Sequence, residues 1–234
     1  MVVLAIGAHP DDLELNCFGT LAKFVKQGHT VYTCTVCNGS LGSYVIEPEE
    51  LAEMRKKEAA AAAEVIGAKY VCVDIGDTEV DGSDKEQQRK MASIIRDIRP
   101  DLIITHAPND YMIDHVQTYH LVFNASFQAS VPHYQAPNMR DTAVTPIYFM
   151  ENAYGVDFLP QDYVDITEEI DLKEKALGCH KSQVDWLRDH DNFDLLRYVR
   201  LAGEYRGVQC GAKFAEVFRK LDVSLRVSAN RMLP

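Results

Sequence analysis

At 234 residues, with 47% hydrophobic residues and a formal charge of −11, the chain can bury a sizeable core and is strongly acidic. Nucleic acids and anionic membrane surfaces are bound mainly through clustered Lys and Arg, so we expect neither as a partner. The sequence shows no basic N-terminal segment followed by an apolar run, and no apolar run long enough to span a bilayer. We therefore expect one soluble, cytoplasmic domain over residues 1–234.

Strand and helix patterns alternate along the first half of the chain. The opening run 2–6 is apolar throughout and ends at Gly7, which is typical of a strand buried on both faces. The predicted elements are strands at 2–6, 30–37, 70–74, 101–105 and 145–150, and helices at 13–27, 48–67, 84–99, 115–128, 168–182 and 185–202. This order predicts an α/β fold with a Rossmann-like, mostly parallel sheet and helices on both faces.

Cys34 and Cys37 have the spacing of a zinc or redox pair, but both fall within the predicted strand 30–37. Residues three apart on a strand point to opposite faces. We therefore expect these cysteines to be packed, reduced thiols.

Four ionisable residues follow the first strand within six positions: His9, Asp11, Asp12 and Glu14. Loops at the carboxyl ends of parallel strands are favoured ligand sites. These side chains would repel and desolvate one another unless a cation lay between them. Imidazole and carboxylate groups are zinc ligands, and a catalytic zinc site takes three protein ligands plus an open position for water. The segment can supply two of those three ligands.

Two other interpretations of this segment are weaker. A nucleotide site would need a glycine-rich phosphate cradle, and two carboxylates would repel a pyrophosphate. A turn that caps a helix would account for one Asp but would leave His9 and the second carboxylate unexplained. A metal site remains the preferred interpretation.

The third ligand is expected from the segment that follows the fourth strand, 105–115. His115 is our choice, and Asp114 is expected to cap the next helix and to orient neighbouring groups. His106 and His120 are weaker candidates, since His120 would lie about 140° around the helix from His115.

The segment Ala8–Glu14, together with Asp114–His115, resembles the LmbE-like or PIG-L family of zinc-dependent N-deacetylases, and the resemblance extends over nearly the whole chain. Segments 51–58, 175–183 and 205–216 look like further blocks of that family. The resemblance implies that His9, Asp12 and His115 bind Zn²⁺, or another divalent metal, and that Asp11 takes a proton from the attacking water. It further implies a small N-acyl, most often N-acetyl, amino-sugar substrate or its conjugate, and it hints at a homo-oligomer.

One position departs from the family pattern. Many members have a histidine three residues before the metal-binding histidine, where it is thought to stabilise the tetrahedral oxyanion, whereas this chain has Met112. A thioether cannot donate a hydrogen bond, and loss of an oxyanion donor costs about 3 to 4 kcal/mol. Tyr111, His106 and His180 are the candidates to replace it.

The remaining assignments are supporting ones. Arg55 either faces the pocket and holds a substrate hydroxyl or carboxylate, or is a solvated helix charge. Glu14 and His180 are expected to support the site without binding the metal. Two alternative functions stay open: a metal-dependent amidase acting on a non-sugar or thiol-conjugate amide, and a metal- or sugar-binding protein without turnover.

Overall fold

The computed structural model describes residues 1–234 and contains one seven-stranded sheet in the order β3-β2-β1-β4-β5-β7-β6. The strands are β1 Val2–Gly7, β2 Thr30–Cys37, β3 Lys69–Ile75, β4 Leu102–Thr105, β5 Ile147–Met150, β6 Asp162–Asp165 and β7 Ala215–Lys220. The strands from β3 to β5 pair in parallel, and β7 runs antiparallel to both of its neighbours. The predicted Rossmann-like α/β class with a mostly parallel sheet is confirmed.

Helices cover both faces of the sheet. They are α1 Asp12–Asn16, α2 Phe18–Lys26, α3 Pro48–Ile66, α4 Lys85–Ile98, α5 Ile113–Gln128, α6 Ile170–Leu177, α7 Lys181–Asp191 and α8 Leu195–Cys210. Because successive side chains of a strand point to opposite faces, Val3 and Ala5 join one apolar cluster, whereas Leu4 and Ile6 join the other. None of these helices is long and apolar enough to cross a membrane.

Several predicted boundaries were wrong. The helix predicted at 13–27 is two helices, since Cys17 has the non-helical dihedral angles φ −145° and ψ 6°. The helices predicted at 168–182 and 185–202 are three, and the second break follows Asn192, which ends α7 with φ 53°. The short strands β6 and β7 were missed, and they form the antiparallel edge of the sheet.

The two neighbouring cysteines are buried and form no disulfide, as expected from the packing interpretation. The expectation that they face opposite sides of the sheet was wrong, because both lie in the same apolar cluster. The pairing of β2 with β3 shifts register between Thr35 and Cys37, and this irregularity turns the second cysteine towards the side of the first.

The strand order places a switch point between β1 and β4. Strands β2 and β3 lie on one side of β1, in that order. The chain then crosses back, and β4 pairs with the other side of β1. In open α/β sheets the loops at such a point diverge at the carboxyl edge and leave a crevice for ligands. Residues 8–12 follow β1, and residues 106–115 follow β4, so both predicted motifs meet at this crevice.

Candidate active site

The turn after β1 separates two adjacent carboxylates. Asp11 stands at the N-cap of α1 with φ 111°, a backbone conformation that non-glycine residues adopt rarely. Its side chain makes no capping hydrogen bond, so a capping role does not account for it. Asp12 turns back, and its Oδ2 accepts a hydrogen bond from the His9 main-chain N–H at 2.6 Å. The Asp11 carboxylate faces Arg55 instead, with Oδ2 3.6 Å from Nη2.

His9, Asp12 and His115 form a compact set of metal-binding groups. One ligand atom from each residue lies within 4.8 Å of the others. His115 Nε2 is 3.2 Å from Asp12 Oδ1, and His9 Nδ1 is 3.7 Å from Asp12 Oδ2. His115 Nε2 is buried and makes no hydrogen bond, so a polar atom that needs a partner points into the set. Two imidazoles and a carboxylate with this spacing fit a zinc ion.

In each histidine of this set, the ring nitrogen that faces away from Asp12 is hydrogen-bonded to another carboxylate. His9 Nε2 lies 3.1 Å from Asp114 Oδ2, and His115 Nδ1 lies 3.0 Å from Asp110 Oδ2. Such carboxylate partners fix the orientation of metal-binding imidazoles and raise their basicity. Asp114 lies in the first turn of α5, whose N-cap is Met112, so its predicted capping role was wrong. Asp110 was missed by the sequence reasoning, although its place five residues before His115 was a usable signal.

The electrostatics of the set favour a cation. Burial lowers the pKa of His115, but Asp12 and the hydrogen bond to Asp110 raise it to about 10. Burial opposes ionisation of Asp12, yet His115 and His106 together lower the pKa of this carboxyl well below its ordinary value. For Asp11, burial raises the pKa to about 6, against the opposing effect of Arg55.

His106 packs beneath the set and does not line the cavity above it. Its Nε2 accepts a hydrogen bond from the Ala8 N–H at 2.9 Å, and its ring stacks on His115 at 4.0 Å between centroids. Burial and the neighbouring His115 lower the pKa of His106 to about 4. These contacts give His106 a supporting position. His120, the other weak candidate, is exposed on α5 and belongs to none of the metal-binding groupings.

A second grouping, His9 with Cys37 and Asp77, has metal-binding spacing as well. Both carboxylate oxygens of Asp77 already accept main-chain hydrogen bonds, from Gly39 at 2.8 Å and from Leu41 at 2.9 Å. Burial raises the pKa of the Cys37 thiol, which disfavours the thiolate that a metal requires. Of these two groupings, the set around Asp12 is therefore the better metal site.

A cavity of about 350 Å³ opens above the metal-binding set. Four carboxylates line it, and Arg55 is its one cationic side chain apart from the histidines. Its outer wall carries the aromatic rings of Tyr111, Tyr154, Phe193 and Tyr198. Flat apolar rings beside a few fixed polar groups are typical of a small-molecule site.

Arg55 is buried with 4% of its surface exposed, so the interpretation as a solvated helix charge was wrong. Its Nη2 donates to the Pro10 carbonyl at 2.5 Å, and its Nη1 donates to the Gly39 carbonyl at 3.3 Å. The guanidinium thus joins the turn after β1 to the loop after β2. It also lines the cavity beside Asp11.

Of the three residues considered as replacements for the missing histidine, only Tyr111 lines the cavity. Tyr111 stands at the cavity mouth next to Met112, which lines the same wall. His180 is completely buried, and its Nε2 lies 3.4 Å from Glu14 Oε1. Glu14 and His180 therefore face each other below the cavity wall.

The fold and the site define an α/β protein with a histidine–aspartate metal-binding set at the carboxyl edge of β1 and β4. The chain belongs to the PIG-L family, because residues 4–126 match the family model described as GlcNAc-PI de-N-acetylase.

Relatives of known activity include more than one kind of enzyme. The chain is 27% identical over 224 residues to the diacetylchitobiose deacetylase of Thermococcus kodakarensis, covering 93% of this chain and 82% of that protein. It is also 27% identical over 216 residues to the 4-oxalmesaconate hydratase of Pseudomonas putida, covering 88% of this chain and 80% of that protein. Among solved structures, the 4-carboxy-2-hydroxymuconate hydratase GalB of P. putida superposes with a TM-score of 0.83 at 24% identity. The superposition covers 98% of this chain and 99% of the GalB chain. That structural likeness supports the fold.

Proposed function

We propose that the chain is a zinc-dependent N-deacetylase that removes an acyl group, most often acetyl, from an amino sugar or an amino-sugar conjugate. The observation that carries this proposal is that the two adjacent carboxylates in the turn after β1 point in different directions. His9 and Asp12 converge with His115 on one point, while Asp11 lies beside them with no hydrogen bond to its carboxylate. A site that only binds metal would not need that second carboxylate.

Zinc bound by His9, Asp12 and His115 would lower the pKa of a water molecule and polarise the acyl carbonyl. Asp11 takes a proton from that water as its oxygen attacks the carbonyl carbon. Asp11 then returns the proton to the leaving nitrogen as the C–N bond breaks, which releases a carboxylic acid and an amine. Burial suits Asp11 to this task, because it makes the carboxylate a stronger base than an exposed aspartate.

The groups around this pair hold it in position. Asp110 and Asp114 orient the two imidazoles, as described above. Arg55 offsets the negative charge of Asp11 and fixes the main chain of Pro10 beside it. We assign the role of oxyanion donor to Tyr111, because its phenol is the donor next to Met112 that faces the cavity.

The cavity lining supports a neutral substrate. Asp11, Asp12, Asp77 and Asp114 outnumber the positive charges of Arg55 and of one divalent metal ion taken together. An anionic substrate would meet net repulsion there, whereas sugar hydroxyls can donate to carboxylates and a sugar ring can lie against the aromatic wall. The deacetylase relative, named for a diacetylated disaccharide of amino sugars, agrees with this substrate class.

Acetate release from a panel of N-acetyl amino sugars tests the proposal. Zinc-loaded protein should release acetate, a chelator should abolish the activity, and Asp11→Asn should lower kcat by about 10³-fold or more while zinc stays bound. Asp189→Asn, an exposed carboxylate on α7, serves as the matched control. If no acid is released from any N-acyl sugar, and Asp11→Asn equals the wild type, the deacetylase assignment fails. Product analysis with thiol-conjugate amides separates the amidase alternative.

A hydratase is the second candidate, favoured by the relative named 4-oxalmesaconate hydratase. Such an enzyme adds water across a carbon–carbon double bond and releases no second product. The acidic cavity opposes an oxo-carboxylate substrate of that kind. Loss of ultraviolet absorbance from an unsaturated oxo acid, without acetate release from amides, would favour the hydratase.

A further inference from the structure

The turn after β3 contains a strained residue at the wall of the cavity. Residues 76–79 form a turn that is closed by a hydrogen bond from the Glu79 N–H to the Gly76 carbonyl at 3.1 Å. Thr78, the third residue of this turn, has φ 68°, whereas Asp77 before it has no positive φ. Turns of this kind normally carry glycine at the third position, because a β-branched residue is strained there. Thr78 therefore has a conformational cost that glycine would avoid.

Hydrogen bonds on both sides hold the turn in this conformation. The Asp77 carboxylate accepts from two main-chain N–H groups of the loop after β2. The Thr78 N–H donates to Asp114 Oδ2 at 2.9 Å, and the same oxygen lies 3.1 Å from His9 Nε2. These contacts involve the side chain of Asp77 and the main chain of Thr78. The side chain of Thr78 takes no part in them.

The Thr78 side chain is free to meet a ligand. Thr78 is exposed, lines the cavity above the metal-binding set, and bonds within the protein through its main-chain N–H, while its hydroxyl makes no hydrogen bond. Neither closure of the turn nor the contact with Asp114 needs a hydroxyl or a branched Cβ at this position. Strained residues that the surrounding structure holds in place are concentrated at ligand-binding positions.

We propose that Thr78 is a specificity-determining residue whose hydroxyl binds the substrate, and that this contact accounts for a threonine at a position that favours glycine. The proposal rests on the proposed deacetylase function for its substrate class, a neutral N-acyl amino sugar. A threonine hydroxyl can donate to a sugar oxygen or accept from a sugar hydroxyl. The hydrogen bonds through Asp114 place this contact near His9.

Thr78→Val and Thr78→Ser separate the hydroxyl from the backbone strain. Valine keeps the branched Cβ but lacks the hydroxyl, so KM for N-acetylglucosamine should rise about three- to tenfold, the usual effect of losing one hydrogen bond. Serine keeps the hydroxyl, and its KM should stay within about twofold of the wild type. Zinc affinity, measured by competition with a chromophoric chelator, should be unchanged in both variants, because the main-chain N–H still donates to Asp114. A lower zinc affinity for Thr78→Val would assign Thr78 to the support of His9 and overturn the proposal.

Thr78→Gly tests the cost of the turn, and Leu225→Gly is its matched control. Leu225 has φ 70° at the third position of a turn closed by a hydrogen bond from the Arg226 N–H to the Val223 carbonyl at 3.1 Å. It is 72% exposed and lies outside the cavity. Both glycine variants should raise the Tm, by about 2 to 4 °C for Thr78→Gly, because the strain is relieved. Thr78→Gly should also raise KM as Thr78→Val does, whereas Leu225→Gly should leave KM unchanged.

Calorimetric titration of N-acetylglucosamine into zinc-loaded Asp11→Asn protein measures binding while the sugar stays intact. In that background Thr78→Val should raise the Kd as it raises KM. An unchanged Kd overturns the proposal, even if the wild type hydrolyses the sugar. If the wild type releases no acetate, the deacetylase function fails, while a Kd that Thr78→Val raises and Thr78→Ser does not still supports the contact. Absence of binding in every form, or a Tm for Thr78→Gly below that of the wild type, also overturns the proposal.

Discussion

Neighbouring residues in the site loops have separate tasks because the backbone turns sharply between them. Asp11 has φ 111°, so its carboxylate diverges from that of Asp12 even though the two residues are adjacent. At the other loop the two neighbours also differ in position, since Tyr111 is 72% exposed at the cavity mouth and Met112 is the N-cap residue of α5 with an extended backbone. A strained or turned backbone at such points is typical of functional sites.

The proposed role of Tyr111 as oxyanion donor can be tested by removing its hydroxyl and placing a donor at position 112 instead. Tyr111→Phe removes the phenolic donor, so we expect kcat to fall about 10²-fold with little change in KM, as for other oxyanion donors. When Met112→His is added to Tyr111→Phe, kcat should rise at least tenfold above that of Tyr111→Phe alone, because the change places an imidazole N–H where many family members carry one. Steady-state kinetics on an N-acetyl sugar measures both effects.

Tyr44→Phe is the control for that experiment, since Tyr44 is 80% exposed and lies outside the cavity. It should leave kcat unchanged. A kcat for Tyr111→Phe equal to that of the wild type would show that the bound metal stabilises the oxyanion without this phenol.

Asp110 is predicted to act through His115. Asp110→Asn keeps the size of the side chain but removes the negative charge at His115 Nδ1, where the hydrogen bond measures 3.0 Å. We expect zinc affinity to fall about 10- to 100-fold, the usual effect of losing a carboxylate behind a metal-binding histidine. Competition with a chromophoric chelator gives the affinity directly. Asp157→Asn, on a neighbouring loop, should bind zinc as the wild type does, and an unchanged affinity for Asp110→Asn contradicts the assigned role.

At the level of elements, the sequence predicted best where the hydrophobic pattern was strong. The five strands that were predicted are the parallel ones, and the apolar runs of β1, β4 and β5 reflect burial on both faces. The missed strands β6 and β7 lie on the antiparallel edge, where β6 has four residues, two of them acidic. Helix breaks at Cys17 and near Asn192 come from local backbone geometry that periodicity does not report.

A buried ion pair joins three elements on one side of the sheet. Glu216 on β7 accepts hydrogen bonds from the main-chain N–H groups of Gly19 and Thr20 in the first turn of α2, at 2.9 and 2.7 Å. Lys173 on α6 donates to the same carboxylate at 2.5 Å. Both charged side chains are less than 5% exposed.

Removing one member of that pair should be strongly destabilising. Lys173→Met leaves Glu216 buried without its counter-charge, so we expect a loss of about 3 to 5 kcal/mol in the free energy of unfolding. Urea denaturation measures it, and the exposed variant Lys181→Met should change stability by less than about 0.5 kcal/mol. A loss below about 1 kcal/mol for Lys173→Met would mean that the α2 N–H groups alone suffice to stabilise the Glu216 carboxylate.

At the scale of the whole molecule, the topology explains why the site residues lie so far apart in the sequence. His9 and His115 are separated by more than a hundred residues, yet β1 and β4 are adjacent strands that end at the same edge. The sequence therefore predicted the site through the rule for parallel sheets. It could not predict the burial of Arg55, because that depends on how the turn after β1 and the loop after β2 meet around the guanidinium.

A metal bound as proposed would link the two halves of the parallel sheet, so the stability of the protein should depend on it. The ligand set comes from loops on both sides of the switch point, and a ligand that binds only the folded state stabilises it by mass action. At zinc concentrations near a thousand times the dissociation constant, the gain is about 4 kcal/mol, or roughly 8 to 16 °C in Tm for a chain of this size. Scanning calorimetry with and without chelator measures the shift.

Asp12→Asn should remove most of that zinc-dependent shift, because it removes the carboxylate that lies between His9 and His115. The metal-free variant should unfold at a somewhat lower temperature than the metal-free wild type, since, against the opposing effect of burial, His115 and His106 hold the pKa of the Asp12 carboxyl low and its charge therefore stabilises the fold. The quantity to compare is thus the Tm difference with and without zinc within each variant. Asp189→Asn should retain the full shift. If chelation leaves the Tm of the wild type unchanged, the two loops are held by the protein alone, and the metal has no structural part in joining them.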